Sequence, residues 1–223
     1  MRRELYIVGA GGFGRETADV VEAAARAAEP GEGWAIAGVF DDAPALVNVS
    51  RLADRGLAFL GPVPDEPPHP GAAVIVAIGA PVVRQRLVSR LQSAGWTFPT
   101  VIHPTAVVGS QVTLGDGVVL CAGVNLSTNV TLDNHVHVNP NATVGHDSVL
   151  RNFASINPAA VVSGEVLIER GVLLGAGCVI LQNITVGENS IVGAMACVTK
   201  PVPHHTVVMG VPARPSGPVA RRS

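Results

Sequence analysis

Apolar residues recur at every sixth position through the second half of the chain. Steps of six from Ile102 to Val198 meet seventeen residues, all aliphatic, and the residue four places after each is small or β-branched. No insertion interrupts these hexads. Short strands that turn a corner after every six residues and stack coil upon coil produce this pattern. The sequence therefore predicts a mainly β solenoid over residues 100–223, with three strands and eighteen residues in each coil.

A different pattern precedes the solenoid and predicts a small α/β, Rossmann-like domain over residues 1–99. Short apolar runs alternate with helix-compatible stretches, which is typical of a parallel sheet with crossover helices. In chain order, the predicted elements are a strand at 5–8, a Gly-rich turn at 9–14, a helix at 15–28, a strand at 34–40, a strand at 73–78 and a helix at 82–94 that ends before Gly95.

The composition and net charge argue against nucleic acid and membranes as binding partners. The 15 Lys and Arg residues nearly balance 17 Asp and Glu residues, so the net charge of -2 gives no long-range attraction to nucleic acid or to acidic membranes. No apolar run reaches the ~18 residues that cross a bilayer, and the chain starts without the apolar stretch of a signal peptide. We therefore expect a cytoplasmic protein that binds neither nucleic acid nor membrane.

The Gly-rich turn is the first candidate site. Gly9, Gly11 and Gly14 match G-x-G-x-x-G between a strand and a helix, and Asp41 and Asp42 follow the second strand, where a ribose or base is held in nucleotide-binding domains. Three interpretations stay open: a nucleotide-sugar site, a dinucleotide site, or a structural turn without ligand. Only about a hundred residues precede the repeat, which leaves no room for the second half of a dinucleotide domain.

Histidines in the repeat form the second candidate site. His146 is followed directly by Asp147, and an imidazole oriented by a carboxylate can take a proton near neutral pH. The eighteen-residue coil also predicts that Asn139 lies beside Asn157 and that His137 lies beside Ser155. These pairs indicate a polar strip near His146, although an asparagine ladder can be purely structural.

The order of motifs along nearly the whole chain resembles a known family. A Gly-turn domain ends in Asp-Asp, followed by F-P-T-V-I-H-P-T-A at 98–106, hexapeptide repeats with a His-acid pair, and G-V-P-A-R at 210–214. This order is similar to that of the bacterial nucleotide-aminosugar N-acetyltransferases and the related sialic acid O-acetyltransferase-like proteins.

The resemblance implies a left-handed parallel β-helix, a homotrimer and direct transfer from acetyl-CoA, without a metal, to the amine of a UDP-, GDP- or dTDP-linked 4-amino sugar. It implies His146 as general base and Asp147 as its partner, with the coenzyme in a groove between neighbouring β-helices. It further implies sugar or nucleotide contacts at Gly9, Gly11, Gly12, Phe13, Gly14, Asp41, Asp42 and Asn139, and coenzyme contacts at Gly164, Ala176, Ala194, Gly210 and Arg214. The coil spacing adds His137 and Ser155 to the predicted substrate-binding residues.

Two positions depart from the family pattern. Ser155 stands where the family often has a second histidine, nine residues after the base, and Phe13 stands where its Gly-rich turn often has histidine. Since His137 is eighteen residues before Ser155, we hypothesise that His137 supplies the missing imidazole to the thioester carbonyl.

Other functions stay open from the residues alone. Transfer to a sugar or sialic acid hydroxyl needs the same base as transfer to an amine. A zinc lyase of the carbonic anhydrase type also uses a β-helix, but it needs three converging histidines and a His-x4-His spacing that the sequence lacks. A non-catalytic binding protein is the third class, and Ser155 is its motivation. Three cysteines without a C-x-x-C pair predict neither disulfides nor a cysteine metal site.

Overall fold

The computed structural model describes residues 3–219 and contains two compact units, Met1–Pro104 and Thr105–Ser223. None of the helices within the described residues combines the length and the hydropathy that a membrane span requires.

The first unit is a three-stranded parallel sheet with helices, as predicted. The sheet order is β2-β1-β3, and its strands are almost fully buried along the centre, with Leu5, Ile7 and Ile75 at 0% exposure. In chain order, the elements are β1 (Arg3–Val8), α1 (Gly12–Ala27), β2 (Trp34–Phe40), α2 (Leu46–Asp54), β3 (Ala73–Val76), α3 (Pro81–Ser93) and β4 (Val101–Ile102). Only α2 was not predicted.

The second unit is the predicted solenoid. Together with β4 at the end of the first unit, seventeen two-residue strands follow one another at intervals of six residues, and the second residue of each is the aliphatic residue of the hexad. The remaining strands are β5 (Val107–Val108), β6 (Thr113–Leu114), β7 (Val119–Leu120), β8 (Asn125–Leu126), β9 (Thr131–Leu132), β10 (His137–Val138), β11 (Thr143–Val144), β12 (Val149–Leu150), β13 (Ser155–Ile156), β14 (Val161–Val162), β15 (Leu167–Ile168), β16 (Leu173–Leu174), β17 (Val179–Ile180), β18 (Thr185–Val186), β19 (Ile191–Val192), β20 (Cys197–Val198), β21 (Thr206–Met209) and β22 (Arg214–Pro218).

Every third strand pairs in parallel, which divides the solenoid into three faces. Face 1 contains β7, β10, β13, β16, β19 and β21, with β22 antiparallel at its end. Face 2 contains β5, β8, β11, β14, β17 and β20, and face 3 contains β6, β9, β12, β15 and β18. Residues eighteen apart are partners from β5 to β20, such as Val144 and Val162, and the separation falls to sixteen where β19 pairs with β21. The predicted coil of three strands is therefore confirmed, while its handedness stays a prediction.

The hexad pattern explains both the core and the corners. Inward aliphatic residues such as Leu132, Val144 and Ile168 are at most 1% exposed and pack on their equivalents in the next coil. Each corner between β5 and β20 contains a residue with positive φ, a conformation that glycine and asparagine tolerate best. Non-glycine residues take it at many corners, including Asn129 (φ 57°) and Asp147 (φ 59°).

Two of these corners flank face 2 and carry the candidate chemistry. The corner that follows face 2 is made of residues 109–112, 127–130, 145–148, 163–166, 181–184 and 199–202, and we call it the His146 corner. The corner that precedes face 2 is made of residues 121–124, 139–142, 157–160, 175–178 and 193–196, and we call it the Asn139 corner.

Candidate active site

His146 and Asp147 form the predicted pair on the surface of the solenoid. The distance from His146 Nδ1 to Asp147 Oδ2 is 2.7 Å, and the two side chains are 54% and 46% exposed. Asp147 can reach its neighbour because its backbone turns at positive φ, with its amide hydrogen-bonded to the carbonyl oxygen of Thr128 at 3.1 Å. With the carboxyl group ionised, Nδ1 carries the hydrogen of this bond, so Nε2 is left as the proton acceptor.

Asn129, one coil before Asp147, holds the other carboxylate oxygen. Its Nδ2 donates to Asp147 Oδ1 at 2.9 Å. The hydrogen bonds from Asn129 and from His146 lower the pKa of Asp147, so this side chain stays an anion at neutral pH. The sequence prediction missed Asn129, although its eighteen-residue separation from Asp147 was the available signal.

Gly164, one coil after His146, lies directly against the imidazole ring. A Cβ atom on Gly164 would lie 2.5 Å from His146 Nε2 and 2.6 Å from Cε1. The ring therefore occupies the space that a side chain at position 164 would need, and a side chain there would displace the nitrogen that accepts the proton. The resemblance implied a coenzyme contact for Gly164, which stays a prediction beside this observed one.

The predicted pairs at eighteen residues are confirmed as structural neighbours. Asn139 Nδ2 donates to Asn157 Oδ1 at 3.0 Å, and His137 is the strand partner of Ser155, both residues being 2% exposed. Within one chain, however, these residues do not join His146. They lie on face 1 and at the Asn139 corner, so the whole width of face 2 separates them from the His146 corner. The role of His137 at the thioester stays a hypothesis.

The remaining positions implied for the coenzyme are accessible. Ala176 and Ala194 are exposed and lie one above the other at the Asn139 corner. Gly210 and Arg214 are also exposed, and the segment that joins them is fixed beside β20: Cys197 donates its amide to Gly210 at 3.0 Å, and Ala213 donates to Cys197 at 2.7 Å.

The cysteines offer no convincing nucleophile. Cys121 and Cys178 are 1% and 0% exposed, and burial raises the pKa of Cys178 to about 12, which keeps its thiol protonated at neutral pH. Cys197 is half-buried on face 2, three coils beyond the strand that leads to His146. Transfer without a cysteine intermediate agrees with this arrangement.

In the first unit, the structure requires glycine at some positions of the Gly-rich turn and not at others. A Cβ on Gly14 would lie on the carbonyl oxygen of Gly9, so only glycine lets α1 approach β1 this closely, and Gly9 itself has φ 119°. Gly11 and Gly12 are different, because a Cβ on either would meet no described atom within 4 Å. Space therefore lies above the backbone where α1 begins, and Phe13 follows in its first turn.

The carboxylates of Asp41 and Asp42 both accept hydrogen bonds from backbone amides. Asp41 accepts the amide of Ala10 at 2.8 Å and that of Ala43 at 3.0 Å, so it joins the Gly-rich turn to the loop after β2. Asp42 accepts the amide of Val63 at 2.9 Å. Each carboxylate thus stabilises the backbone at this edge of the sheet. Their predicted contacts with the nucleoside stay a prediction.

Within the described part of the chain, no group of three or more His, Cys, Asp or Glu side chains is placed to hold a metal ion.

Each of the two units matches the model of a known protein family. Residues 4–91 match the model of the PglD N-terminal domain, and residues 165–200 match the bacterial transferase hexapeptide model (six repeats). No curated protein matches the sequence.

Solved structures are similar over nearly the whole chain. PerB from Caulobacter crescentus, in complex with CoA and GDP-perosamine, is 27% identical with a TM-score of 0.78, covering 96% of this chain and 97% of that one. The acetyltransferase domain of PglB from Neisseria gonorrhoeae is 26% identical with a TM-score of 0.80, covering 96% and 99%. WeeI from Acinetobacter baumannii is 28% identical with a TM-score of 0.78, covering 96% and 100%. With its PglD-type first unit and its hexapeptide solenoid, the chain is an acyltransferase of the hexapeptide-repeat type, similar over nearly its whole length to solved acetyltransferase structures.

Proposed function

We propose that this protein is a cytoplasmic acetyl-CoA-dependent N-acetyltransferase that acts on the 4-amino group of a nucleotide-linked sugar. The observation that carries the proposal is the pair His146–Asp147, joined at 2.7 Å on an exposed corner, with the imidazole held against Gly164. The similar PerB structure, at 27% identity, contains CoA and GDP-perosamine, which supports this class of substrates.

In the proposed reaction, the sugar amine attacks the carbonyl carbon of the acetyl thioester. His146 Nε2 takes the amine proton as the new C–N bond forms, and Asp147 stabilises the resulting imidazolium. The C–S bond then breaks, and the proton on His146 passes to the departing thiolate, so that the products are the amide and CoA. The enzyme returns to its starting protonation state without a covalent intermediate.

The first unit supplies the proposed nucleotide site. The open space above Gly11 and Gly12 lets a diphosphate approach the backbone at the start of α1, where the helix dipole favours negative charge. Arg15 stabilises this turn by donating to the carbonyl oxygen of Ala10 at 2.9 Å and to Asn48 Oδ1 at 2.8 Å.

A homotrimer is part of the proposal, because a single chain separates the two corners that the reaction needs. Face 2 lies between them and exposes apolar side chains, Val107 at 58% and Val161 at 37%. Packing such faces around a threefold axis covers them and lets the Asn139 corner of one copy meet the His146 corner of another.

We expect light scattering of the purified protein to give three chain masses. A protein that stays at one chain mass at assay concentration would contradict the shared site.

The activity itself is tested by release of CoA thiol. We expect release with acetyl-CoA and at least one of the UDP-, GDP- and dTDP-linked 4-amino-4,6-dideoxy sugars, and mass spectrometry should locate the acetyl group on nitrogen. The control substrate is the matching 4-hydroxy sugar nucleotide. Release with the hydroxy compound alone would replace the proposal with O-acetyl transfer, and release with none would contradict acetyl transfer to sugar nucleotides.

A further inference from the structure

The corner that carries His146 contains a column of residues that share one backbone conformation. Gln111, Asn129, Asp147, Glu165 and Asn183 follow one another at intervals of eighteen residues, and all have φ between 55° and 60°. Since glutamine, aspartate and glutamate also occupy this position, the turn does not by itself require asparagine at 129. The side chain of Asn129 therefore needs a separate explanation.

Its hydrogen bond provides one. Asn129 Nδ2 donates to Asp147 Oδ1 at 2.9 Å, while Asp147 Oδ2 accepts from His146 Nδ1 at 2.7 Å. Each carboxylate oxygen is thus held by one donor, and the carboxylate connects the amide to the imidazole. Because Asp147 is 46% exposed, it would otherwise rotate in water and lose its fixed direction towards the ring.

We infer that Asn129 is a positioning residue of the acyl transfer, which fixes the carboxylate of Asp147 so that His146 presents Nε2 as the proton acceptor. The inference rests on the proposed function, and no contact of Asn129 with either substrate is needed. The amide also takes up part of the carboxylate's capacity as an acceptor, which limits how strongly Asp147 stabilises the imidazolium.

Few titratable side chains surround Asp147 at the His146 corner. Of the residues that form the His146 corner, His146, Asp147, Glu165 and Lys200 carry titratable side chains, and Lys200 lies three coils beyond His146. Glu165 follows Asp147 by one coil, and it is exposed. Asp147 therefore lies between a neutral donor on one side and a second carboxyl group on the other, so that Asn129 supplies the attractive contact.

The test compares Asn129→Ala with Asn183→Ala, which removes the same side chain from the equivalent position three coils further along. We expect Asn129→Ala to lower kcat/KM at neutral pH by about three- to tenfold, the effect of one ordinary hydrogen bond, because water weakens the bond to this half-exposed carboxylate. The acidic limb of its pH profile should move to higher pH, because an unshared carboxylate stabilises the imidazolium and less neutral base remains. Asn183→Ala should match the wild type in both measurements.

A second variant separates positioning from folding. Asn129→Asp keeps the shape and tolerates positive φ, but it removes the donor and adds a negative charge beside Asp147, so the acidic limb should move further in the same direction. If Asn129→Ala only lowers the amount of active protein and leaves the pH profile in place, its role is structural and the inference is wrong. An unchanged rate and profile would overturn it equally.

A readout without turnover keeps this inference separate from the proposed function. In ¹⁵N NMR spectra at neutral pH, the wild-type His146 ring should carry its hydrogen on Nδ1, and Asn129→Ala should show a mixture of tautomers. If the wild type transfers no acetyl group but shows this dependence on Asn129, the proposed function fails while the positioning role stands. The same tautomer in both proteins would count against Asn129.

Discussion

Replacing His146 with alanine should lower kcat by about 10²–10⁴-fold, the usual contribution of a general base. The amine must lose its proton as it attacks the thioester, and His146 Nε2 is the acceptor that the pair with Asp147 leaves available. The loss should appear in kcat at saturating acetyl-CoA and sugar nucleotide, because the removed interaction acts on the transition state.

The matched control for this variant is His204→Ala. His204 is also an exposed histidine paired with a carboxylate, since its Nδ1 lies 3.1 Å from Glu169 Oε2. Its removal therefore takes an exposed imidazole away from beside a carboxylate at another place on the solenoid, although His204 Nδ1 also accepts the amide of Glu188 at 3.0 Å. We expect His204→Ala to keep the wild-type rate and both variants to keep the wild-type circular dichroism spectrum and oligomer mass. A His146→Ala protein that turns over at the wild-type rate would show that the base lies elsewhere.

The solenoid was predictable from the sequence almost residue by residue. Every hexad is one strand and one corner, and a single insertion would move all later side chains off their faces. For this reason the seventeen aliphatic positions from Ile102 to Val198 coincide with the seventeen observed strands. The period of six predicts the three-stranded coil. It carries no information about the handedness of the coil, because a left-handed and a right-handed winding would show the same period.

Helix α2 could not be predicted from the pattern of hydrophobic and polar residues. The segment Leu46–Asp54 contains β-branched and polar residues that favour helix weakly, and its leucine and valine at 46 and 47 are 87% and 54% exposed. What fixes the helix is tertiary contact: Leu52 is buried at 1% exposure, and Asn48 accepts a hydrogen bond from Arg15. Neither contact is visible in a local pattern.

The carboxylates after β2 show a second limit. Their position at the end of a parallel strand predicts a ligand contact, which stays a prediction, but it gives no sign that Asp42 also accepts the amide of Val63 from a loop twenty-one residues further along the chain. Irregular loops have no period, so sequence alone cannot place their backbone. At the His146 corner the reverse is true: the eighteen-residue rule that paired Asn139 with Asn157 also leads from Asp147 back to Asn129.

Gly164→Ala should have the second largest effect, lowering kcat by about 10–100-fold without unfolding the protein. The new methyl group would lie 2.5 Å from His146 Nε2 and 3.1 Å from Cδ2, so the ring must move. Gly164 is not among the residues with positive φ, and alanine therefore fits its backbone. An imidazole displaced by about 1 Å from its productive position is enough for a loss of this size. Thermal unfolding and kcat are the measurements, with Gln182→Ala, at the equivalent position one coil further, as the control.

A double-mutant cycle separates two explanations for that loss. If the methyl group acts by moving the ring, Gly164→Ala should have no further effect on kcat once His146 is alanine, because the group it displaces is gone. If Gly164 instead lines the coenzyme groove, as the family resemblance implies, the methyl group should raise the Kd for CoA equally with and without His146. Calorimetric titration of CoA into all four proteins gives this comparison even where turnover is too slow to measure. An equal loss of CoA affinity in both backgrounds, with kcat unchanged, would overturn the positioning of His146 by Gly164.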